Sequence, residues 1–598
     1  MIYVVPPGTT YVAAPVALGL FVPGAGGTIS REGAIASLRR GKVESAVLGG
    51  KPGGKILADI FFGLPDQPVR PAVYVELPPP GEHPNTKRYP VAIVGDGYGG
   101  ILTSDSTRIR GLVSIADIAP TLVALREGRS PPIRSEPDRD AIADLHALDT
   151  RLTRVHHDRG WTFAIIVLTV LLLAVLAPPA GVLGGAAAMT ASLLLSSAGA
   201  TRFWLVLAAM AALTAGLALA LSVRRRLVPL AVAAFLVAFT VVPAADPELN
   251  SLAVLGARPD GGGRFYGIGN QVETFLLPPV IAAAALAGSR WLFPLAALAL
   301  VTVGWSKAGA DGGGVLVFGT ALAVLTLRMR GLALTPRRVA LAAAVVVLVA
   351  LLLVGLDAAL GGSSHVTHAV GTGPGSLLGD IGHRLHLSWE SATDHWYRVA
   401  IFLSCLAALV LMGTMWPRRA TVDALLAAVA VSLLVNDTPV DVVGLGALGC
   451  AALVRWESVD SRPMRSGALT AASVLAVLAL AGCGSEGVAR PLPDTVVGTV
   501  KQEAPGKAIF ANQGCGACHT YTPAGPEANG KIGPDLDKLP EYAKRAKQPL
   551  AKFVHDSIVD PNKYVEKGYP KNVMPKSYKS LPPADLKALV DFLTKPQG

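Results

Sequence analysis

The sequence predicts a mainly α-helical chain: a polytopic transmembrane helical bundle of about eleven or twelve spans, a small α/β segment before it, and an all-α soluble domain after it. Three observations carry this. Hydrophobic residues make up 51% of the 598 and charged residues 16%, against roughly 25% charged in a typical soluble protein. Apolar runs of about 15–20 residues, the length a helix needs to cross a bilayer, recur from Trp161 to Cys483 and not outside it. Finally, 14 of 19 lysines follow position 500, whereas only one of 34 arginines, Arg545, does. The last hundred residues have the composition of a different protein.

Eleven spans are expected, near 161–178, 181–199, 203–222, 227–243, 272–288, 291–305, 314–328, 339–356, 398–416, 420–435 and 440–454. Arginine clusters follow the third (224–226), seventh (Arg328, Arg330, Arg337, Arg338), ninth (Arg418, Arg419) and eleventh (Arg455, Arg462, Arg465). All four then lie on one face, which the positive-inside rule makes cytoplasmic. The N-terminal segment falls outside, and the apolar run 466–482 carries the chain outward again. Arg151, Arg154 and Arg159 stand on the wrong side for this scheme. The net charge of +11 thus has a topological source. Without zinc-finger spacing or basic–aromatic interleaving, no nucleic-acid partner is expected.

The long polar loops all land on the outer face. They are either solvated connectors or one site built from Arg264, Tyr266, Asn270, Asp311, His383, His395 and Asp437, because polar clusters beside spans mark function. The histidines are not at ligand spacing on one helix, and no ligand is assigned.

Residues 1–130 alternate short apolar strands with Gly/Pro turns. VAIV (91–94) reads as a buried strand before a glycine-rich loop, and the stretch ending SIADIAPTLVAL (114–125) as a helix. About forty residues here resemble the distal part of alkaline-phosphatase-superfamily domains. GDG (95–97) offers one Asp where a two-metal site needs more, so an α/β remnant or binding module is expected rather than a phosphoesterase. The start lacks an export signal and reads as truncated.

Of five cysteines, Cys405 and Cys450 lie in apolar runs and leave no disulfide framework. Cys515 and Cys518 belong to CGACH (515–519), the C-x-x-C-H attachment signature for c-type haem. Two thiols add to the haem vinyls and His519 faces the iron. Zinc and thiol-redox sites also use C-x-x-C. Downstream, the axial candidates are Met574 and His555; Met574 is favoured, since His/Met ligation raises a cytochrome potential. Helices are expected at 505–514 and 581–594, the second with an apolar stripe of Leu586, Leu589, Val590 and Leu593.

With these elements in place, residues 501–598 resemble a class I cytochrome c, through the N-terminal helix, C-x-x-C-H, G-P-D-L (533–536), a Met-Pro loop and an aromatic-bearing last helix. The resemblance implies an all-α fold, one covalent haem c, one-electron transfer rather than enzymatic turnover, and a Pro534 carbonyl that holds the His519 ring. After position 500 there are 15 Lys and Arg against ten Asp and Glu, net +5, which suits an acidic redox partner of a respiratory chain.

MRSGALTAASVLAVLALAGC (464–483) has the build of a lipoprotein signal, with Cys483 as the lipidation candidate. Either 466–482 is a last span, or two genes are read as one; both place the haem domain outside the cell membrane. The expected organisation is 1–130 extracytoplasmic α/β segment, 131–160 linker, 161–456 polytopic membrane domain, 464–483 signal-like segment or last span, 484–500 linker, and 501–598 cytochrome c domain. A second function class stays open: a transporter or lipid-linked-substrate membrane enzyme with the cytochrome as passenger.

Overall fold

The computed structural model describes residues 1–598 except 6–15, 24–27, 42–55, 63–70, 80–81, 201, 262–263, 361–387, 390–391, 394, 415–418, 437, 459–504, 514, 526–527, 575–577, 580, 582 and 595–598. His383, Asp437, Cys483 and the run 466–482 therefore lie outside the described residues. The chain divides into two compact units, with residues 1–149 and 494–598 in one and most of 150–493 in the other.

The N-terminal α/β segment contains β1 (Ile2–Val4), β2 (Val16–Val22), β3 (Thr28–Ser30), α1 (Arg31–Arg40), β4 (Ile60–Phe62), β5 (Ala72–Val75), β6 (Glu82–Pro84), β7 (Tyr89–Val94), β8 (Gly100–Ser104), β9 (Leu112–Ser114), α2 (Ile115–Arg126) and β10 (Ile133–Glu136). The β-branched and aromatic runs form a mixed sheet in the order β10-β8-β2-β7-β5-β1-β4, with β9 also on β2. VAIV is the core of β7, antiparallel to both β2 and β5. Ser30 and Ser114 cap α1 and α2 through their hydroxyls. Ile35, Leu38, Ile118 and Leu122 of these helices share one buried cluster with Val73 and Ile93 of the sheet.

The stretch 131–160 is not a linker. It forms β10, paired antiparallel with β8, and then opens the 36-residue helix α3 (Ala141–Leu176). Its polar composition conceals apolar residues at helical spacing, of which Leu145, Leu152 and Val155 are buried.

The second unit is helical: α4 (Pro178–Ser197), α5 (Phe203–Ser222), α6 (Val228–Ala245), α7 (Pro247–Ser251), α8 (Asn270–Gly304), α9 (Gly312–Met329), α10 (Pro336–Ala359), α11 (Trp396–Thr414), α12 (Ala420–Val435) and α13 (Pro439–Ser458), with the C-terminal part of α3. Among the described residues, nine helices are long and apolar enough to cross a membrane. Two expected spans, 272–288 and 291–305, correspond to α8, which breaks at Gly288 (φ 70°, ψ 177°); only glycine takes that backbone without strain. On α10 the buried residues are Val346 and Asp357, and large apolar side chains such as Leu341, Leu348 and Leu352 are exposed. A helix apolar on its outer surface suits lipid rather than water.

Charges gather at the two ends of this bundle. At one end Arg328 pairs with Asp423 (2.8 Å), Arg419 donates to the Val454 carbonyl (2.7 Å) and Arg225 stacks over Trp456 (4.7 Å). Residues of the arginine clusters expected on one face thus meet there. Arg159, which stood against that scheme, is nearly buried and paired with Asp260 (3.0 Å). A charge neutralised inside the protein carries no topological signal.

Candidate functional site

The expected outer-face residues meet only in part. Arg264 lies 3.7 Å from Asp311 and also donates to the Ile268 carbonyl. Asp311 is buried and caps α9, accepting from the Gly314 N–H at 3.1 Å. The Asn270 amide donates to Thr438 Oγ1 at 3.2 Å. Tyr266 is half-buried nearby in sequence, whereas His395 is exposed and its ring stacks near Tyr397 at 5.1 Å.

Two residues that sequence reasoning missed complete the cluster. Glu273 is fully buried and accepts from the Asn436 amide at 3.1 Å; Asn436 also donates to Ser432 Oγ at 2.7 Å. The signal was available, because Glu273 is an acid inside an otherwise apolar run, VETFLLPPV (272–280). Close backbone approach shapes the cluster: a Cβ at Gly267 would stand 2.2 Å from the Gly309 carbonyl oxygen.

The C-terminal domain is built from α14 (Pro505–Asn512), α15 (Cys515–Cys518), α16 (Leu539–Arg545), α17 (Leu550–Val559) and α18 (Pro583–Thr594). The first and last of these cross closely. A Cβ at Gly506 would lie 2.1 Å from the Ala588 carbonyl oxygen and 2.4 Å from Phe592 Cβ, so glycine is required. Phe592 then meets Phe510 (5.9 Å between centroids) and Tyr521 (5.4 Å), and Tyr521 donates to the Phe592 carbonyl at 3.0 Å. Leu586, Leu589, Val590 and Leu593 all face the core.

This crossing frames an apolar cavity of about 170 Å³. Cys515, Cys518, His519 and Met574 all line it. One helical turn carries both thiols, and the His519 N–H closes it on the Cys515 carbonyl (3.0 Å). His519 Nδ1 donates to the Pro534 carbonyl at 2.7 Å, which leaves Nε2 as the nitrogen with a lone pair. Gly533 makes room for that ring, since a Cβ there would stand 2.3 Å from His519 Cε1. Met574 follows Asn572, whose N–H donates to Asn562 Oδ1 while Asn562 donates back, both at 2.9 Å. His555 is exposed beside Asp556, although its neighbours Phe553 and Val554 line the cavity.

Burial sets the chemistry of these groups. It pushes the Cys515 thiol up to about 12, with Cys518 adding to the effect, and raises Cys518 as well. Both shifts favour the protonated thiol over the ready thiolate of a thiol-redox site. Burial likewise lowers His519 against the opposing Pro534 bond, favouring the neutral imidazole that a metal requires. A covalent haem fits this set. Two thiols and a neutral histidine with a held ring share one apolar slot with a thioether, and the backbone beside the ring is a glycine, Gly533.

No curated protein and no solved structure matches the chain. A family model of cytochrome c matches residues 503–596, which include Cys515, Cys518, His519 and Met574 of the cavity. The chain carries a C-terminal cytochrome c domain, which implies covalently bound haem c and a role in electron transfer with a redox protein partner.

Proposed function

We propose that this protein is a membrane-anchored cytochrome c that passes single electrons on the extracytoplasmic side of the cell membrane, through one haem held by Cys515 and Cys518 with His519 and Met574 as axial ligands. The observation that carries the reading is the shared cavity, in which His519 is held by Pro534 and Met574 lines the same slot. When bound, the haem supplies a ferrous/ferric couple. The protein supplies the rest. Pro534 fixes the tautomer and orientation of His519, and so its strength as a ligand. Phe510, Leu589 and Leu593 keep water from the ring, as outer-shell apolar groups do when they tune a potential. The net charge of +5 after position 500 steers an acidic partner of a respiratory chain. The apolar helices support anchoring in a membrane; a lipid on Cys483 after cleavage is the alternative anchor, and it gives the haem domain the same location.

The axial assignment is tested by substitution. Met574→Ala should abolish the far-red absorption band of Met–Fe ligation and lower the reduction potential, while His555→Ala should change neither. A band that survives Met574→Ala refutes the assignment.

A second reading rests on a separate observation. The Arg264–Asp311 pair and buried Glu273 are more than an anchor needs. They support a bundle with its own role as a transporter or lipid-linked-substrate enzyme.

A further inference from the structure

The Glu273–Asp311 cluster leaves a charge and two oxygen atoms unaccounted for. Glu273 is fully buried, and Asp311 is 4% exposed. Asn436 joins the two carboxyls: its amide donates to Glu273, and its Oδ1 and Asp311 Oδ1 would stand 3.3 and 3.5 Å from one and the same Cβ built on Gly313. One oxygen of each is engaged: Glu273 Oε2 accepts from Asn436, and Asp311 Oδ1 accepts from the Gly314 N–H. Among the described residues the other two, Glu273 Oε1 and Asp311 Oδ2, are buried and make no hydrogen bond, although Asp311 Oδ2 has the Arg264 guanidinium 3.7 Å away. Buried acceptors in this state are costly.

The charges do not balance either. Two carboxylates face one guanidinium, Arg264, at 3.7 Å from Asp311. Among the described residues, other acids of the packed elements have partners of their own. Asp441 accepts from Gln271 (2.9 Å), Asp357 of α10 accepts from Ser306 (2.7 Å), and Asp423 pairs with Arg328 at the other end of the bundle. Helices α4 and α6 carry no charged side chain. Within the group of Glu273, Asp311 and Arg264 one buried negative charge is left over among the described residues, which a low-dielectric interior does not tolerate.

We propose that Glu273 and Asp311 form a proton-binding site in the helical bundle, holding one exchangeable proton between them. A single proton on either free oxygen answers both deficits. The protonated oxygen donates to the other, so both orphan acceptors are satisfied, and the net charge with Arg264 becomes zero. The proton comes from water and returns to it, and no other bond changes. A metal cation answers neither as well. Calcium takes six to eight oxygen ligands, the guanidinium repels it, and among the described residues no group of three or more His, Cys, Asp or Glu side chains could hold a metal. Intramembrane carboxyls of this kind mark proton relays. The inference rests on the second reading of the bundle and is independent of the haem domain.

Infrared difference spectra of the full-length protein in lipid nanodiscs, recorded on stepping pH in H₂O and D₂O, test it. The wild type should show a carboxylic-acid C=O band that titrates and shifts in D₂O. Glu273→Gln and Asp311→Asn should each abolish that band, since either leaves one carboxylate matched to Arg264; Asp357→Asn should leave it. If one variant does not fold, the other decides. A wild type without such a band, or a band that persists in a folded variant of either residue, overturns the proposal. So does a spectrum that responds to sodium but not to pH. Loss of haem would touch none of these outcomes, and loss of the band would leave the cytochrome intact.

Discussion

At the residue scale, the haem domain depends on absent side chains as much as on present ones. Gly533 lets the His519 ring lie against the backbone that holds it. Gly533→Ala should destabilise the domain by about 1–3 kcal/mol, the usual cost of overpacking, and weaken the His519–Pro534 bond. Thermal unfolding and the reduction potential of the variant check both effects; an unchanged potential would mean that the bond does not tune the ligand. Gly506→Ala meets backbone rather than a ring, so it should cost stability at the upper end of that range while leaving the potential alone. Both glycines are present in the sequence, but neither close approach is legible there, since each depends on a segment distant along the chain. The clash at Gly533 depends on a loop returning fourteen residues later, which no local pattern reveals.

At the scale of elements, helices were easier to find than their charges were to interpret. Apolar length marked the spans, and the break at Gly288 separates two of them as expected. The polar helix before Trp161 was read as a linker because its apolar residues are spread among six charged ones. Burial of Leu152 and Val155 shows that the spacing, rather than the composition, was the informative signal. Arg159 illustrates the same point. Counted as a surface charge it contradicts the topology; buried against Asp260, with Gly256 and Ala257 carbonyls also accepting from it, it is structural. Removing one partner of a buried pair costs about 3–5 kcal/mol, so Asp260→Ala should lower the thermal midpoint sharply, and Arg159→Met with Asp260→Leu should recover much of the loss. The pair also sets an acid limit. Burial alone would raise Asp260, but Arg159 and His156 (2.8 Å) beside it hold the carboxyl well below its ordinary range. A depressed folded-state value means this stabilisation is present above the unfolded value of about 3.9 and is lost as pH falls below it. Stability measured down through that range should decline in the native protein and stay flatter in Asp260→Asn.

At the scale of the whole molecule, two bodies of different composition share one chain. The lysine-rich end reads as a cytochrome, and the arginine-punctuated bundle holds a carboxyl cluster that electron transfer does not require. Electron transfer to an acidic partner should slow as ionic strength rises, because a net charge of +5 acts over a Debye length of only about 8–10 Å in physiological salt; stopped-flow reduction rates across a salt series would show it, and a flat series would remove the steering role. The electron-transfer function stands on covalent haem at Cys515 and Cys518. The most direct measurement is a haem-stained denaturing gel of native membranes, followed by a pyridine haemochrome spectrum of the stained band, for the wild type and for Cys515→Ala with Cys518→Ala. The account predicts a c-type spectrum that survives denaturation in the wild type and is lost in the double variant, with the band at the full 61.6 kDa if bundle and cytochrome work as one protein. Haem that washes out of the wild type, or a stained band that persists without the two cysteines, would contradict it.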